Sequence, residues 1–179
     1  MKCRLIVISA VIICAVLWII GFVRINTNII QPLDQPYRVG ESFHYYGLEI
    51  TPIDAETYDS DSFKNEFGYD FGGNNTEGLL IVAVKVHVKN ISGESIKIKN
   101  NLHTWVIETD YFRNGQQIEF AYLNREEPYT AGSDMEYYLF FTFRDGENYQ
   151  GGIKRLKSAE KRVYFGFYPE ARYMLFEEM

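Results

Sequence analysis

Two patterns of apolar and polar positions divide the chain. From Leu5 to Val23, 19 residues carry no charge and only Ser9 and Gly21 interrupt the apolar run. As a helix this run reaches roughly 28 Å, close to the ~30 Å hydrocarbon thickness of a bilayer. Beyond about residue 38 the period changes to two, which is the signature of strands with one buried face. In the segment LLIVAVKVHVK, Leu80, Val82, Val84, Val86 and Val88 share one face while Ala83, Lys85, His87 and Lys89 share the other.

The same alternation predicts further strands over Phe43–Ile53 with a bend at Gly47, Leu102–Thr109, Gln117–Leu123, Met135–Phe143, Val163–Phe167 and Arg172–Phe176. A turn at Asn90–Gly93 followed by alternating Ile96 and Ile98 predicts a hairpin partner for the long strand. About seven to nine short antiparallel strands in one domain give an all-β class and a two-sheet sandwich. The expected core is Leu48, Ile50, Leu80, Val82, Val84, Val86, Trp105, Ile107, Leu139, Phe141, Phe165 and Phe167. Residues 25–37, with Pro32 and Pro36, read as an extended spacer. The organisation is then an N-terminal transmembrane anchor at 1–24, a linker at 25–37 and a sandwich domain at 38–179.

For the apolar run the competing reading is a cleaved secretory signal, whose apolar region is about 7 to 15 residues long and ends in small residues. Here the run ends Trp18, Ile19, Ile20, Gly21, Phe22, Val23, which gives a peptidase no small-residue pair. Lipidation at Cys14 would need a small residue directly before it, and Ile13 stands there. Lys2 and Arg4 precede the run and only Arg24 follows it closely, so the positive-inside rule places the amino terminus in the cytoplasm and the following domain outside.

Residues 25–179 hold 15 basic and 24 acidic side chains, a formal charge of −9. Nucleic acid and anionic lipid are therefore not expected partners for this part. Both cysteines, Cys3 and Cys14, lie in or beside the apolar run, so the outer domain folds without a disulfide and without thiol chemistry.

Several short stretches also carry a resemblance: Val39-Gly40-Glu41 leading to Gly47-Leu48-Glu49-Ile50-Thr51, the strand-turn Val84–Asn90, Gly93-Glu94, and Ala131-Gly132-Ser133 leading into Tyr138-Leu139-Phe140-Phe141. Over residues 38–168 the chain resembles the telokin-like, immunoglobulin-like extracellular domains of bacterial, Gram-positive-type cell-envelope proteins, a mostly uncharacterised group. The resemblance implies an immunoglobulin-like fold and an envelope address, and it brings no catalytic residues or cofactor with it. This chain departs from the group's pattern in a long acidic stretch between its first two main strands and in an apolar run where many members have a lipidated cysteine.

Catalytic constellations are not apparent. His44, His87 and His103 fall on separate elements, no G-x-S-x-G elbow occurs, and no H-x-x-x-H or H-E-x-x-H spacing is present. Carboxylate pairs such as Glu126 with Glu127 are adjacent in sequence and point opposite ways in an extended chain. No glycine-rich loop links a strand to a helix in the manner of a phosphate site. The reading is a non-enzyme, with no cofactor, that binds or scaffolds; a glycan-acting enzyme of the cell wall is a distant alternative.

The most informative segment is Asp54–Gly78, with seven acids, one base and the aromatics Tyr58, Phe63, Phe67, Tyr69 and Phe71. It reads as a long loop, with Phe63 and Phe67 spaced to anchor one or two helical turns. Three roles compete for it. The aromatics could recognise a protein or cell-wall glycan; Asp59, Asp61, Glu66 and Asp70 could hold calcium, although the EF-hand register fails at Phe63 and Lys64; or the loop could be an acidic cap completing the core. A second candidate is the basic run Lys154, Arg155, Lys157, Lys161 and Arg162, which could meet an anionic wall polymer, lipid head groups or the acidic loop of a neighbouring molecule, or be a solvated connection. The sequons at Asn74 and Asn90 would matter only in a glycosylating pathway.

Overall fold

The computed structural model describes residues 2–28, 33–72, 76–96, 102–110, 112–144, 152–167 and 170–177. Within the first helix side chains are described for residues 11–24, and within the last helix for 154–158. The chain forms two compact units, Met1–Leu33 and Asp34–Met179.

The first unit is one helix, α1 (Lys2–Asn28). Its described apolar side chains are apolar all round: Val11, Leu17, Trp18, Ile20 and Phe22 are each more than half exposed, and Trp18 stacks on Phe22. Among the described residues no helix is long and apolar enough to cross a membrane. The segment read as a spacer holds the end of α1 and most of the first strand.

The second unit is a β-sandwich. A four-stranded sheet runs in the order β2 (Phe43–Tyr45), β3 (Leu48–Asp59), β4 (Leu79–Asn90), β7 (Asp134–Arg144). A five-stranded sheet runs β1 (Leu33–Arg38), β9 (Glu170–Phe176), β8 (Lys161–Gly166), β5 (Val106–Glu108), β6 (Arg113–Gly115). Two short helices, α2 (Ser60–Phe67) and α3 (Gly152–Ser158), and 3-10 turns at Leu102–Thr104 and Ile118–Leu123 complete it.

β4 organises the domain because it is antiparallel to β3 on one side and to β7 on the other along nearly its whole length. The register sets Val82 opposite Phe141, Val84 opposite Leu139 and Val86 opposite Tyr137, all fully buried between the sheets with Ile50, Trp105, Ile107, Val163 and Met174. On the other face, Ile81 and Ala83 are also buried, in a second cluster with Phe63, Phe120 and Phe140. The outward positions Lys85, His87 and Lys89 instead pair with Glu136 and Asp134 of β7. In β3, Pro52 has no N–H to give and lies where the register shifts between Pro52 and Asp54, the one irregularity in that pairing.

The second cluster corrects the reading of Asp54–Gly78 as a loop. β3 continues to Asp59, and α2 follows at once. Asp59 caps that helix in a capping box with Ser62, and Gly68, at φ 72° in the left-handed region, ends it by donating its N–H to the Lys64 carbonyl. The helix lies over the outer face of the four-stranded sheet, where Phe63 has no exposed surface. The strand signal at 54–59 was masked because its inward residues, Ala55 and Thr57, are small or polar.

Other expectations also change. Gln117–Leu123 is a 3-10 turn, not a strand, because only Phe120 of its alternating apolar residues turns inward while Ile118 and Tyr122 stay exposed. The strand expected over Leu102–Thr109 shrinks to β5 after a 3-10 turn. Phe167 lies just past the end of β8 and is 46% exposed, outside the core. The hairpin partner expected beyond Gly93 falls largely on residues 97–100, outside the described residues. Asn90 is buried, its amide donating to the carbonyls of Glu94 and Thr130, so it is a structural residue and not a glycan acceptor; Asn74 lies outside the described residues.

β7 is the free edge of its sheet, yet its edge is not open. Asn124 bonds both the N–H and the carbonyl of Tyr138, the Gln117 N–H reaches the Phe140 carbonyl, and the Asn114 amide reaches the Thr142 carbonyl. These contacts occupy alternate backbone groups that would otherwise template another strand.

Truncating a fully buried phenylalanine removes its transfer energy and leaves a cavity, so Phe63→Ala is expected to cost about 3–5 kcal/mol. Tyr122→Ala, at an exposed position, is expected to stay within about 0.5 kcal/mol of the parent in the same urea titration.

Candidate functional site

The five aromatics read as a recognition surface are brought together, but as packing. Phe63 is the hub, with ring centroids 4.8 Å from Phe67, 6.0 Å from Phe71, 6.1 Å from Tyr58, 6.3 Å from Tyr69 and 5.5 Å from Phe120. Tyr58, Phe67, Tyr69 and Phe71 are half-buried around it. Burial pushes the Tyr58 hydroxyl well above the ordinary phenol range, helped by its hydrogen bond to the Glu56 carboxylate.

The four carboxylates considered for calcium are not brought together. Asp59 accepts from the Ser62 hydroxyl and N–H at the start of α2, and these bonds hold its carboxyl below the usual range. Asp70 is paired with Lys64 at 2.7 Å and also accepts from the Gly72 N–H, and it too is held low. Asp61 and Glu66 are exposed on α2. Among the described residues no group of three or more His, Cys, Asp or Glu could hold a metal ion.

The basic run is split by the fold. Lys154 and Lys157 are exposed on α3, whose Leu156 is buried in the sandwich core. Arg155 is half-buried. Lys161 is a correction to the patch: it is only 4% exposed, and its ammonium donates to the carbonyls of Ala159 and Lys157 at the end of the helix. Arg162 pairs with Glu160. The three histidines likewise stand apart. His44 lies 3.6 Å from Glu49, His87 lies 2.7 Å from Asp134, and His103 sits half-buried near Tyr129, its basicity lowered by burial.

A site that sequence reading missed lies at the open flank between the sheets, where the β2–β3 turn faces β8 and β9. An aromatic column closes this flank: Phe43 stacks on Phe165 at 4.3 Å, Trp105 lies 5.1 Å from Phe165, and Tyr45 meets Trp105 edge-on at 5.1 Å. Arg172 crosses the column, its guanidinium 5.1 Å from the Phe165 ring and 5.8 Å from Tyr37, with Nη2 donating to the Tyr37 hydroxyl and the His44 carbonyl. Its Nε is buried and has no hydrogen-bond partner among the described residues. A cleft of about 370 Å³ opens here, walled by His44, Tyr45, Tyr46, Phe165, Glu170 and Arg172, within the range usual for small-molecule sites.

The rim of this cleft carries backbone strain. β2 and β3 are joined by two residues, Tyr46 and Gly47, both with positive φ (47° and 85°), the arrangement of a type I′ turn. Asn-Gly fits such a turn; Tyr46 is the one described non-glycine residue held there, and the residue is 65% exposed, with its ring beside Tyr45. Gly47 is obligatory, since a Cβ would also come within 3.0 Å of Ser92. The signal available in the sequence was this Tyr-Gly pair at the bend of the first hairpin.

A larger cleft of about 830 Å³ lies between Tyr69, Phe71, Phe112, Arg113, Asn114 and Glu119. Two of its polar groups are engaged elsewhere: Arg113 lies 3.7 Å from Glu108 and over the Phe167 ring, and the Asn114 amide is used by β7.

No protein-family model matches the chain, and no curated protein matches it. Among solved structures it is similar to an uncharacterized β-sandwich protein from Clostridium difficile, with a TM-score of 0.51 and 12% identity over 82% of this chain and 97% of that one. A conserved hypothetical protein from Bacillus anthracis aligns with a TM-score of 0.44 and 14% identity, over 71% of this chain and 87% of the other. At these identities the likeness to the Clostridium protein extends to the fold: both are β-sandwiches.

Two predictions follow from the capping aspartate and the strained turn. Asp59→Ala is expected to destabilise the domain by about 1 kcal/mol at pH 7. Because the folded state lowers the Asp59 pKa, that stabilisation is present above the unfolded carboxyl value and is lost as pH falls through the folded one. The gap between variant and parent in urea midpoints should therefore close on acidification below about pH 4. Tyr46→Asn is expected to raise stability by about 0.5 kcal/mol or more, as relief of left-handed strain outweighs the lost ring contact with Tyr45; a lowered midpoint would contradict this.

Proposed function

We propose that this protein is a single-pass, membrane-anchored component of the bacterial cell envelope. On this reading its immunoglobulin-like, telokin-type sandwich is displayed outside and acts by binding or scaffolding, without catalysis. The observation that carries the anchor is the 19-residue charge-free run Leu5–Val23, which lies inside α1. The described part of that helix is apolar on every side, a pattern that suits a helix surrounded by protein core or lipid. Lys2 and Arg4 before the run favour a cytoplasmic amino terminus.

The binding role is supported by how the polar groups are used. His44, His87 and His103 sit at three separate places, and of the carboxylates considered for calcium Asp59 serves a helix cap and Asp70 a surface pair, which weighs against the calcium-dependent reading. The aromatic cleft beside Arg172 offers shape, rings and polar groups to a ligand. The lack of cysteine after Cys14 leaves the domain independent of oxidative folding outside the cell.

Protease added to intact cells or spheroplasts is expected to degrade residues 34–179 and to leave an N-terminal fragment in the membrane fraction. Protection of the domain until the membrane is permeabilised would overturn the orientation. Recovery of the whole chain in the soluble fraction would overturn the anchor.

A further inference from the structure

We propose that the cleft between the β2–β3 turn and β9 binds an uncharged saccharide ring. The inference rests on the reading of the outer domain as a binding module and gives that module a ligand class.

Three independent features converge on this cleft. A bulky aromatic, Tyr46, is held at φ 47° with its ring largely exposed at the rim, where the turn geometry favours asparagine or glycine. Strain of this kind persists where the surroundings enforce it, and it tends to gather at ligand clamps. Second, Arg172 lines the cleft with an Nη1 that no described group accepts from, while its Nη2 is doubly engaged and its Nε is covered by protein. An accessible guanidinium donor without an acceptor gains a charge-assisted hydrogen bond from a ligand oxygen. Third, Glu170 supplies a carboxylate to the same cleft and makes no ion pair among the described residues.

The ligand class follows from that combination. A pyranose ring has a flat face of C–H groups that packs on aromatic rings such as Tyr46 and Tyr45. Its hydroxyls donate to a carboxylate and accept from a guanidinium. A purely apolar ligand would cover the Arg172 Nη1 donor and Glu170 without giving either a partner. An anion would gain Arg172 but would face Glu170 in the same cleft, within a segment of formal charge −9. An uncharged polyol with one apolar face satisfies all three groups, and an acetamido carbonyl would serve Arg172 equally well.

The test uses the full chain in a zwitterionic detergent that carries no sugar, with calorimetry and saturation-transfer NMR. The probes are tetramers of β-1,4-linked glucose, of N-acetylglucosamine and of galacturonate. At least one uncharged tetramer is expected to bind saturably and in preference to galacturonate. Tyr46→Asn, a substitution the turn accommodates, is expected to weaken that binding tenfold or more with no loss of thermal stability, and Glu170→Gln to weaken it severalfold. The proposal is overturned if neither uncharged tetramer binds up to about 10 mM, if galacturonate binds more tightly, or if Tyr46→Asn retains the parent's affinity. Failure of every sugar with the domain still open to external protease would remove this inference alone. Protection from protease with sugar binding intact would instead remove only the proposed orientation.

Discussion

Everything in the sandwich domain hangs on the register of β4. Its even positions from Leu80 to Val88 fill the space between the sheets, and Ile81 and Ala83 fill the space beneath α2. Because side chains alternate, a slip of one residue against β3 or β7 would put Lys85 and His87 into the sandwich and expose the valines. The ion pairs of Lys85 and His87 with β7 lie on the solvent side and are worth little singly. Their contribution is to make the wrong register costly, since a displaced charge would be buried without its partner.

With the centre pinned, the two flanks take different solutions. At β7 the edge is occupied at Tyr138, Phe140 and Thr142 by asparagine amides and a backbone N–H. At the β2 flank the gap between sheets is filled by rings and crossed by Arg172, whose hydrogen-bonding capacity is only partly used. One flank is chemically closed and the other retains an unsatisfied donor. That asymmetry is why a candidate site lies where the sandwich is open.

What was legible in the sequence was the part governed by a single period. Leu80–Val88 and Tyr137–Phe143 alternate cleanly, and the inward faces read from them are the buried ones. The reading broke where a second layer begins. Phe63, Phe67, Tyr69 and Phe71 look the same in sequence whether they face a partner or the back of their own sheet, and only the burial of Ile81 and Ala83 on the outer face decides between these. Gln117–Leu123 alternates like a strand, but its backbone turns after Phe120 is seated. Lys161 sat in a run of charges, and nothing local announced that helix-end carbonyls would take its ammonium inward. The aromatic cleft was illegible for a different reason: Tyr46 and Arg172 lie far apart in sequence and meet only across two sheets.

The asparagine that guards the far end of β7 carries a chemical cost of its own. Asn114 is followed by Gly115, whose N–H already rests against the Asn114 side-chain oxygen. An Asn-Gly pair is the dipeptide most open to cyclisation and loss of the amide nitrogen, because glycine leaves the attacking nitrogen unhindered. The product would be a carboxylate facing the Thr142 carbonyl, acceptor against acceptor, where a donor had been. Chemical ageing at this one residue would thus unlatch the sheet edge and give old molecules a strand-pairing surface that fresh ones lack.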